Sequence, residues 1–535
     1  MRRVPFLLAA LLSLTLLPWL TSVFAGKPDN AQVRWIDFQD GKLVYGSDKF
    51  GNRVPDFSSV GYETGLKPMP DVAVKATLDP ASSGDDTPRI QAAIDDLAKQ
   101  PLDAGGFRGS LLLHAGVYHI AGTLHLNASG IVLRGSGTGE HDTLLVAEGM
   151  PHTILSIGGT GEWQHAGPDH AVLDTYVPIG TNMLSVDDDH DLKAGDRVLV
   201  QWSMTPAFIH MIGMDQIPSR KDGRTVMQWS TSMGLRFDRK IITVDRTAQG
   251  GRLTFDAPLT NAMGREEGAV VFRYNFPDRI DHAGVENLRT DGSAFEKTPG
   301  YGNPQTLDES GGTPKFVGGG FFDSLFVQFA SVENAWMRNI IVTHYSNIVA
   351  IGQHARAVTV TDIKGIDIHT PETHSPPQAF MIDGQQSLIE NCSMTGDFNH
   401  VWMTQARVPG PDVFYNCTAK GYHLDAGPHQ RWATGILYDN LRIQGAINVI
   451  NRNSMGTGHG WAGANNVLWN CESDSYQVET PAVAYNWAFG VKGSLTSPQM
   501  GMPQGQIISS GKHVLPQSLY QQQLQERPAS QRTVH

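Results

Sequence analysis

An asparagine or aspartate set between apolar positions recurs through the second half of the chain, and this repeat limits the fold more than any other feature. The series runs Val285-Glu286-Asn287-Leu288, Met337-Arg338-Asn339-Ile340, Val360-Thr361-Asp362-Ile363, Ile389-Glu390-Asn391-Cys392, Phe414-Tyr415-Asn416-Cys417, Tyr438-Asp439-Asn440-Leu441 and Leu468-Trp469-Asn470-Cys471. From Asn339 the steps are 23, 29, 25, 24 and 30 residues; the first gap, 52, is about two turns, or one turn with an inserted loop. A repeat of this length made of short β-type stretches is one coil of a solenoid, because each coil has an apolar face that it can bury only on its neighbour. The chain is therefore predicted to be all-β, with parallel coils stacked along one axis. Cys392, Cys417, Leu441 and Cys471 fall on one internal ladder, so the three cysteines are expected to be small, buried core residues with free thiols. Nothing has the paired spacing of a zinc site. The asparagines are expected to form a turn ladder, each side-chain amide bonding to the coil above or below.

Upstream, Asp85-Asp86-Thr87-Pro88 precedes Ile90, Ile94 and Leu97 at helical spacing, which predicts a capped amphipathic helix. Short strands follow at Gly109 to Ile120, Leu124-His125-Leu126 and Ile131 to Arg134. A solenoid needs its first coil covered, and such a helix can cover it. In these residues the chain resembles the pectate lyase superfamily of right-handed β-helix proteins. The likeness is to the branch that opens with an Asp-Asp-Thr helix, a strand ending Pro-Gly-x-Tyr (here Ala115-Gly116-Val117-Tyr118) and a Leu-x-Gly turn (Leu133-Arg134-Gly135). Gly51 to Ser58 resembles the entry segment of the same branch. The resemblance covers about residues 50 to 490 and implies a right-handed parallel β-helix; it marks the fold and not the substrate.

The expected organisation is a signal peptide at 1–25, an entry segment at 26–75, first coils with the capping helix at 76–180, a β-rich insertion at 181–275, main coils at 276–490 and a tail at 491–535. The signal rests on Arg2 and Arg3, the apolar run Val4 to Leu20 and a small-residue ending at Ala25. It predicts a secreted or periplasmic protein of about 510 residues with no stable membrane insertion after its removal. In the insertion, Leu192 to Val200, Lys240 to Asp245 and Arg252 to Phe255 alternate like antiparallel strands, and the loop Trp202 to Trp229 is placed to overhang the solenoid. In the tail, Leu519 to Leu524 reads as a short capping helix before a loose end. With 41 basic and 53 acidic side chains, a nucleic-acid partner is not expected. The acidic run Asp187 to Asp191 is read as a solvated loop rather than a calcium site, and no cofactor is assigned.

A dry solenoid interior leaves chemistry to the outer face and the loops. Arg356, Arg407, Arg431 and Arg452 follow their asparagine markers by 17, 16, 15 and 12 residues, which places them in one sector of the cross-section. On an acidic chain, stacked guanidiniums call for an anion across them. Histidines cluster nearby at His369, His374, His400, His423, His429 and His459. Trp402, Tyr422, His423, Trp432 and Trp461 are expected to bind substrate, the aromatic rings serving as sugar platforms, and Gly456 to Asn465 is a flexible loop bearing His459 and Trp461. The plainer alternative pairs the arginines with Asp397, Asp412, Asp425 and Asp439 on adjacent coils.

The expected partner is an acidic polysaccharide or oligosaccharide, and the expected reaction is β-elimination at a uronic acid. It needs a base for the proton α to the carboxyl group and cations to neutralise the enolate. His429 or His400 is the expected base, with Arg407, Arg431 and Arg452 on the carboxylate and His459 a second acid or base. The resemblance implies instead an Arg or Lys base. A glycoside hydrolase is the rival, drawing two carboxyl groups from Asp362, Asp367, Glu372, Asp383, Asp397 and Asp425, among which no pair stands out. A non-catalytic adhesion module is the third reading.

Overall fold

The computed structural model describes residues 33–295, 324–369, 378–397, 400–421 and 425–527. Three strands make a coil, and every strand of the main body pairs in parallel with the same strand of the next coil. Val332–Thr343 lies between Ile280–Asp291 and Arg356–His369; Leu388–Glu390, Pro409–Tyr415 and Ala433–Asp439 follow on the first sheet. The third sheet is built of Leu325–Phe329, Asn347–Ile351, Phe380–Ile382, His400–Thr404 and Asp425–Pro428. The chain is thus a right-handed parallel β-helix. Leu288 pairs directly with Ile340, so the 52-residue gap is one coil with an inserted segment.

The marker residues bend the chain from the first sheet to the second. Asn287, Asn339, Asp362, Asn391, Asn416, Asn440 and Asn470 have φ between 51° and 57°, a left-handed conformation that Asn and Asp tolerate best among residues with a side chain. Two rungs bond as a ladder: Asn339 Nδ2 donates to Asn287 Oδ1 at 2.8 Å, and Asn416 Nδ2 to Asn391 Oδ1 at 2.7 Å. At the upper coils the C-terminal chain takes over, since Asn440 and Asn470 donate to the carbonyl of Gln517. Inside the bend Ile340, Ile363, Cys392, Cys417, Leu441 and Cys471 are all buried, and the cysteines are free. Each such side chain removed from water contributes about 1.5–3 kcal/mol.

The helix Thr87–Ala98 places Ile90, Ile94 and Leu97 in the main core beside the first-coil residues Leu111 and Leu126. Its Asp-Asp-Thr start ties it down. Buried Asp86 accepts from the backbone of Ala81 and His119 and pairs with Arg89 at 2.6 Å. Leu519–Glu526 is helical, but it covers a side of the solenoid instead of its end. Leu519 and Tyr520 join Trp35, Phe57 and Val60 over the outward residues Leu388, Val413, Leu437 and Val467, and Gln523 accepts from the backbone of Phe57.

A six-stranded antiparallel sheet leaves the solenoid at the turn from the third sheet to the first. It begins at Gln164–Ala171, ahead of the expected start at 181, and ends at Val270–Asn275. Its base is fixed by buried charges. Asp238 receives Arg279 at 2.8 Å and the Tyr274 hydroxyl at 2.7 Å, Asp256 receives Arg356 at 2.8 Å, and Arg239 donates to the carbonyls of Pro258 and Gly410. No helix among the described residues is long and apolar enough to cross a membrane.

Candidate functional site

The turns from the third sheet to the first carry most of the residues picked from the sequence. Asp383, Gln405 and His429 occupy one rung on successive coils, because their amides donate in turn to the carbonyls of Ile351, Ile382 and Thr404. Beyond that rung Arg407 and Arg431 stack, with the Arg407 amide bonded to the Arg431 carbonyl at 2.7 Å and the Arg431 amide to the His459 carbonyl at 3.0 Å. Their left-handed φ values, 60° and 47°, turn the chain sharply at both points.

The imidazoles meet beside these arginines. The ring centres of His400 and His429 are 4.6 Å apart, and those of His429 and His459 4.7 Å. His400 Nδ1 contacts Asp425 Oδ1 at 2.5 Å, and the other oxygen of that carboxylate receives Arg452 at 2.5 Å and Asn448 at 3.0 Å. Burial alone would raise the Asp425 carboxyl, but Arg452 and His400 together hold it down at about 2. His429 is shifted the opposite way. Loss of solvent, then repulsion from His400, His459, Arg452 and Arg431, pushes it well below the usual imidazole range, although its edge still meets the groove. His459 is lowered by burial and by Arg431 and Arg452. Nδ1 of both His429 and His459 has no hydrogen-bond partner among the described residues.

Arg407 and Arg431 make their direct hydrogen bonds to neutral groups and not to a carboxylate. Arg407 donates to the Ser232 carbonyl at 3.2 Å; Arg431 donates to Gln430 Oε1 and, at 2.6 Å, to Thr457 Oγ1. Neither forms an ion pair among the described residues. Burial and the repulsion of Arg407 lower Arg431 to about 10. Buried Asp383 interacts electrostatically with Arg407, and burial pushes its carboxyl up to about 7 against that arginine's pull. It entered the sequence reading only as one of several carboxyl groups for a hydrolase.

Several expected site residues are placed elsewhere. Arg356 is buried under the insertion among Asp256, Asp238 and Glu333. Arg452 is consumed by Asp425, so it does not face a substrate; of the expected pairings of arginine with Asp397, Asp412, Asp425 and Asp439, this is the one found among the described residues. Trp402 has no exposed surface and belongs to the main core. The cause is a bulge: Trp402 has φ 48° and the register shifts between Val401 and Met403, so the ring that alternation sends outward turns in. Trp432 and Trp461 are also buried, serving as seats for the overhanging loop. Trp432 donates to Asn261 at 2.9 Å with Phe208 edge-on at 5.4 Å, and Trp461 donates to the Ile212 carbonyl at 3.1 Å. None of the three offers a face to a sugar. Tyr422, His423, His374, Glu372 and the side chains of His369 and Asp397 lie outside the described residues, as does the segment 1–25.

The loop Trp202 to Trp229 does overhang the coils, where the Met227 amide bonds to the Thr457 carbonyl at 3.0 Å and Arg220 to the Ser454 carbonyl at 3.1 Å. The carboxylates of the run Asp187 to Asp191 are used locally, Asp191 by Arg273 and His170, Asp187 by the Ala171 amide. Among the described residues no group of three or more His, Cys, Asp or Glu is arranged to hold a metal. A separate cleft of about 260 Å³ between Tyr45, Arg53, Pro178 and Met183 has one charged side chain, and Arg53 donates there to the Gly180 carbonyl.

Fold and site together define a class: a parallel β-helix protein whose insertion overhangs coils that bear two guanidiniums without a carboxylate partner among the described residues and a cluster of three imidazoles. No family model and no curated protein sequence matches the chain, so the pectate lyase resemblance rests on the motifs alone. Its structural neighbours are phage tailspikes, themselves right-handed parallel β-helix proteins. A double mutant of the tailspike protein of E. coli bacteriophage HK620 is similar at TM-score 0.41 and 9% identity, over 81% of this chain and 64% of that one. The tailspike of the same phage in complex with a pentasaccharide gives 0.39 and 9%, over 78% and 55%. The Gp54 tailspike of Acinetobacter baumannii bacteriophage AP22, in complex with a capsular saccharide of its host, gives 0.28 and 9%, over 77% and 67%. The chain therefore spans between just over half and two thirds of the length of these tailspikes.

Proposed function

We propose that the protein is a polysaccharide lyase that cleaves a uronate-containing polymer by β-elimination in this groove. One observation carries the reading: Arg407 and Arg431 stand on successive coils without a carboxylate partner among the described residues, beside an imidazole, His429, that is kept uncharged. An uncompensated pair of guanidiniums fits a substrate carboxylate. An uncharged imidazole on a residue that is only partly buried fits a base.

The two facing histidines have unlike surroundings, His400 bonded to the Asp425 carboxylate and His429 set among cations, which divides acid from base. His429 takes the proton α to the carboxyl group. The electron pair of that bond forms the new double bond and expels the glycosidic oxygen on the next carbon. His400, whose ring Asp425 orients, gives that oxygen its proton. Arg407 and Arg431 neutralise the charge that builds on the carboxylate. The proton on His429 then returns to His400, 4.6 Å away between ring centres, through solvent.

A hydrolase would draw on two carboxyl groups in unlike surroundings, Asp383 raised by burial to about 7 and Asp425 held at about 2, despite its burial, by Arg452 and His400. Asp425, however, is buried and already receives Arg452, His400 and Asn448, which leaves it almost no surface to offer a water or a sugar. The test is incubation with acidic and neutral polysaccharides while following both ultraviolet absorbance of unsaturated uronate ends and reducing ends. A lyase raises both signals, a hydrolase reducing ends alone, and an adhesion module neither. We also propose export, for which N-terminal sequencing of the secreted protein after Ala25 is the check.

A further inference from the structure

We propose that Gln378, Gln405 and Gln430 form a positioning relay that fixes the Arg431 guanidinium for a substrate carboxylate. The inference rests on the reading of the groove as an anionic-glycan site. Gln405 Nε2 donates to Gln378 Oε1 at 3.2 Å, Gln430 Nε2 donates to Gln405 Oε1 at 3.0 Å, and Gln430 Oε1 accepts from Arg431 Nη1. Gln378 and Gln405 are buried.

The direction of the relay follows from its last member. A guanidinium has donors only, so Gln430 must turn its oxygen to Arg431 and its NH2 to Gln405. Gln405 must then present its oxygen to Gln430 and its NH2 to Gln378. The two amide-to-amide hydrogen bonds therefore run in one sense, from Gln430 through Gln405 to Gln378, and successive hydrogen bonds in a buried site polarise one another. Thr457 holds the other arm of Arg431 at 2.6 Å, while Nε is buried with no partner among the described residues. Both arms are therefore restrained, and the plane of the fork is set before any ligand arrives, which lowers the ordering needed on binding.

A plain structural ladder is the competing explanation, and the asparagine series shows what one looks like here. That ladder sits at the left-handed bend and runs through coils that have no groove, as in the Asn287 and Asn339 pair. The glutamines lie on the coils that bear Asp383, Arg407 and Arg431, and they end on a cation instead of on another amide.

The relay is tested with Gln405→Leu, which leaves Arg431 and its direct partners in place, and with Gln430→Asn, whose amide is too short to meet both neighbours. Binding of a trigalacturonate and of its methyl ester to the full chain is measured by calorimetry. Wild type is expected to prefer the acid, and each variant to lose about tenfold in affinity for the acid alone, with an unchanged melting temperature. A loss shared equally by acid and ester, or an unchanged preference in both variants, overturns the relay. Equal binding of acid and ester by wild type overturns the relay and the anionic groove together. Preference for the acid that the variants abolish, with no elimination product from wild type, supports the relay and refutes only the lyase.

Discussion

Oδ1 of Asp425 lies 2.5 Å from Nδ1 of His400, on the coil before it, and the second oxygen of the same carboxylate faces Arg452 on the coil after. One buried carboxylate thus joins three coils and leaves the His400 ring a single orientation. This arrangement makes His400 the oriented partner and His429, 4.6 Å away, the unrestrained one.

Replacing the base should remove activity and leave the fold intact. His429→Ala is expected to lower the elimination rate about 10²–10⁴-fold, the usual contribution of a positioned base. The melting temperature should stay within a few degrees. Steady-state kinetics with thermal unfolding of the same preparation checks both.

Asp425 behaves differently because its loss strands a charge. Asp425→Ala leaves Arg452 buried without its partner and should destabilise the protein by about 3–5 kcal/mol, as broken buried pairs do. Asp425→Ala combined with Arg452→Met should recover much of that stability without recovering activity. Denaturant titration of the single and double variants measures the difference.

The groove arginines should show in KM and in salt dependence. Arg407→Ala is expected to raise KM for an acidic polymer about tenfold, one charge-assisted hydrogen bond of ~1.5–3 kcal/mol being lost. It should also flatten the fall of kcat/KM with added salt, because fewer charges remain to be screened.

Two pH windows follow from the shifted groups. His429 is lowered well below 6.5, so the base stays unprotonated at mildly acidic pH, and activity should fall only as pH drops through that lowered value. Stability moves in the other direction. Asp383 binds its proton up to about pH 7 in the folded state, whereas the unfolded chain releases it near 3.8. Between those values the folded protein holds the extra proton, so stability falls as pH rises through the window. Asp439, also buried and raised to about 7, adds to the same slope. His429 and His459, both lowered, slope the opposite way across the same range, so the Asp383 contribution is read as a difference: between pH 5 and pH 8 in urea denaturation, wild type should lose more stability, or gain less, than Asp383→Asn.

What the sequence disclosed is what repeats. The asparagine bend and the apolar position after it meet the same neighbours in every coil, so each rung is under the same constraint and the period is visible without a structure. The spacing that brings Arg407 and Arg431 to successive turns was legible for that reason, but of the same four-arginine series Arg356 and Arg452 are taken up by carboxylates. Trp402 was misread because a bulge reverses alternation, and a bulge of one residue leaves no mark in the period. Trp432 and Trp461 were misread because their rings are covered by Phe208, Trp229 and Met214, more than 200 residues earlier in the chain. The entry segment's path along the first sheet was hidden for a similar reason, since Phe57 finds Gln523 across nearly the whole sequence. Asp383 carries its raised carboxyl through burial alone, a property of the folded surroundings and not of its neighbours in sequence.

Wild type and His429→Ala, each mixed with a polyuronate and followed by the absorbance of the double bond conjugated to the carboxyl group, give the most direct measurement. Absorbance rising with wild type and flat with the folded variant is the predicted result. Reducing ends released by wild type without that absorbance, or equal absorbance from both proteins, would contradict elimination at this groove.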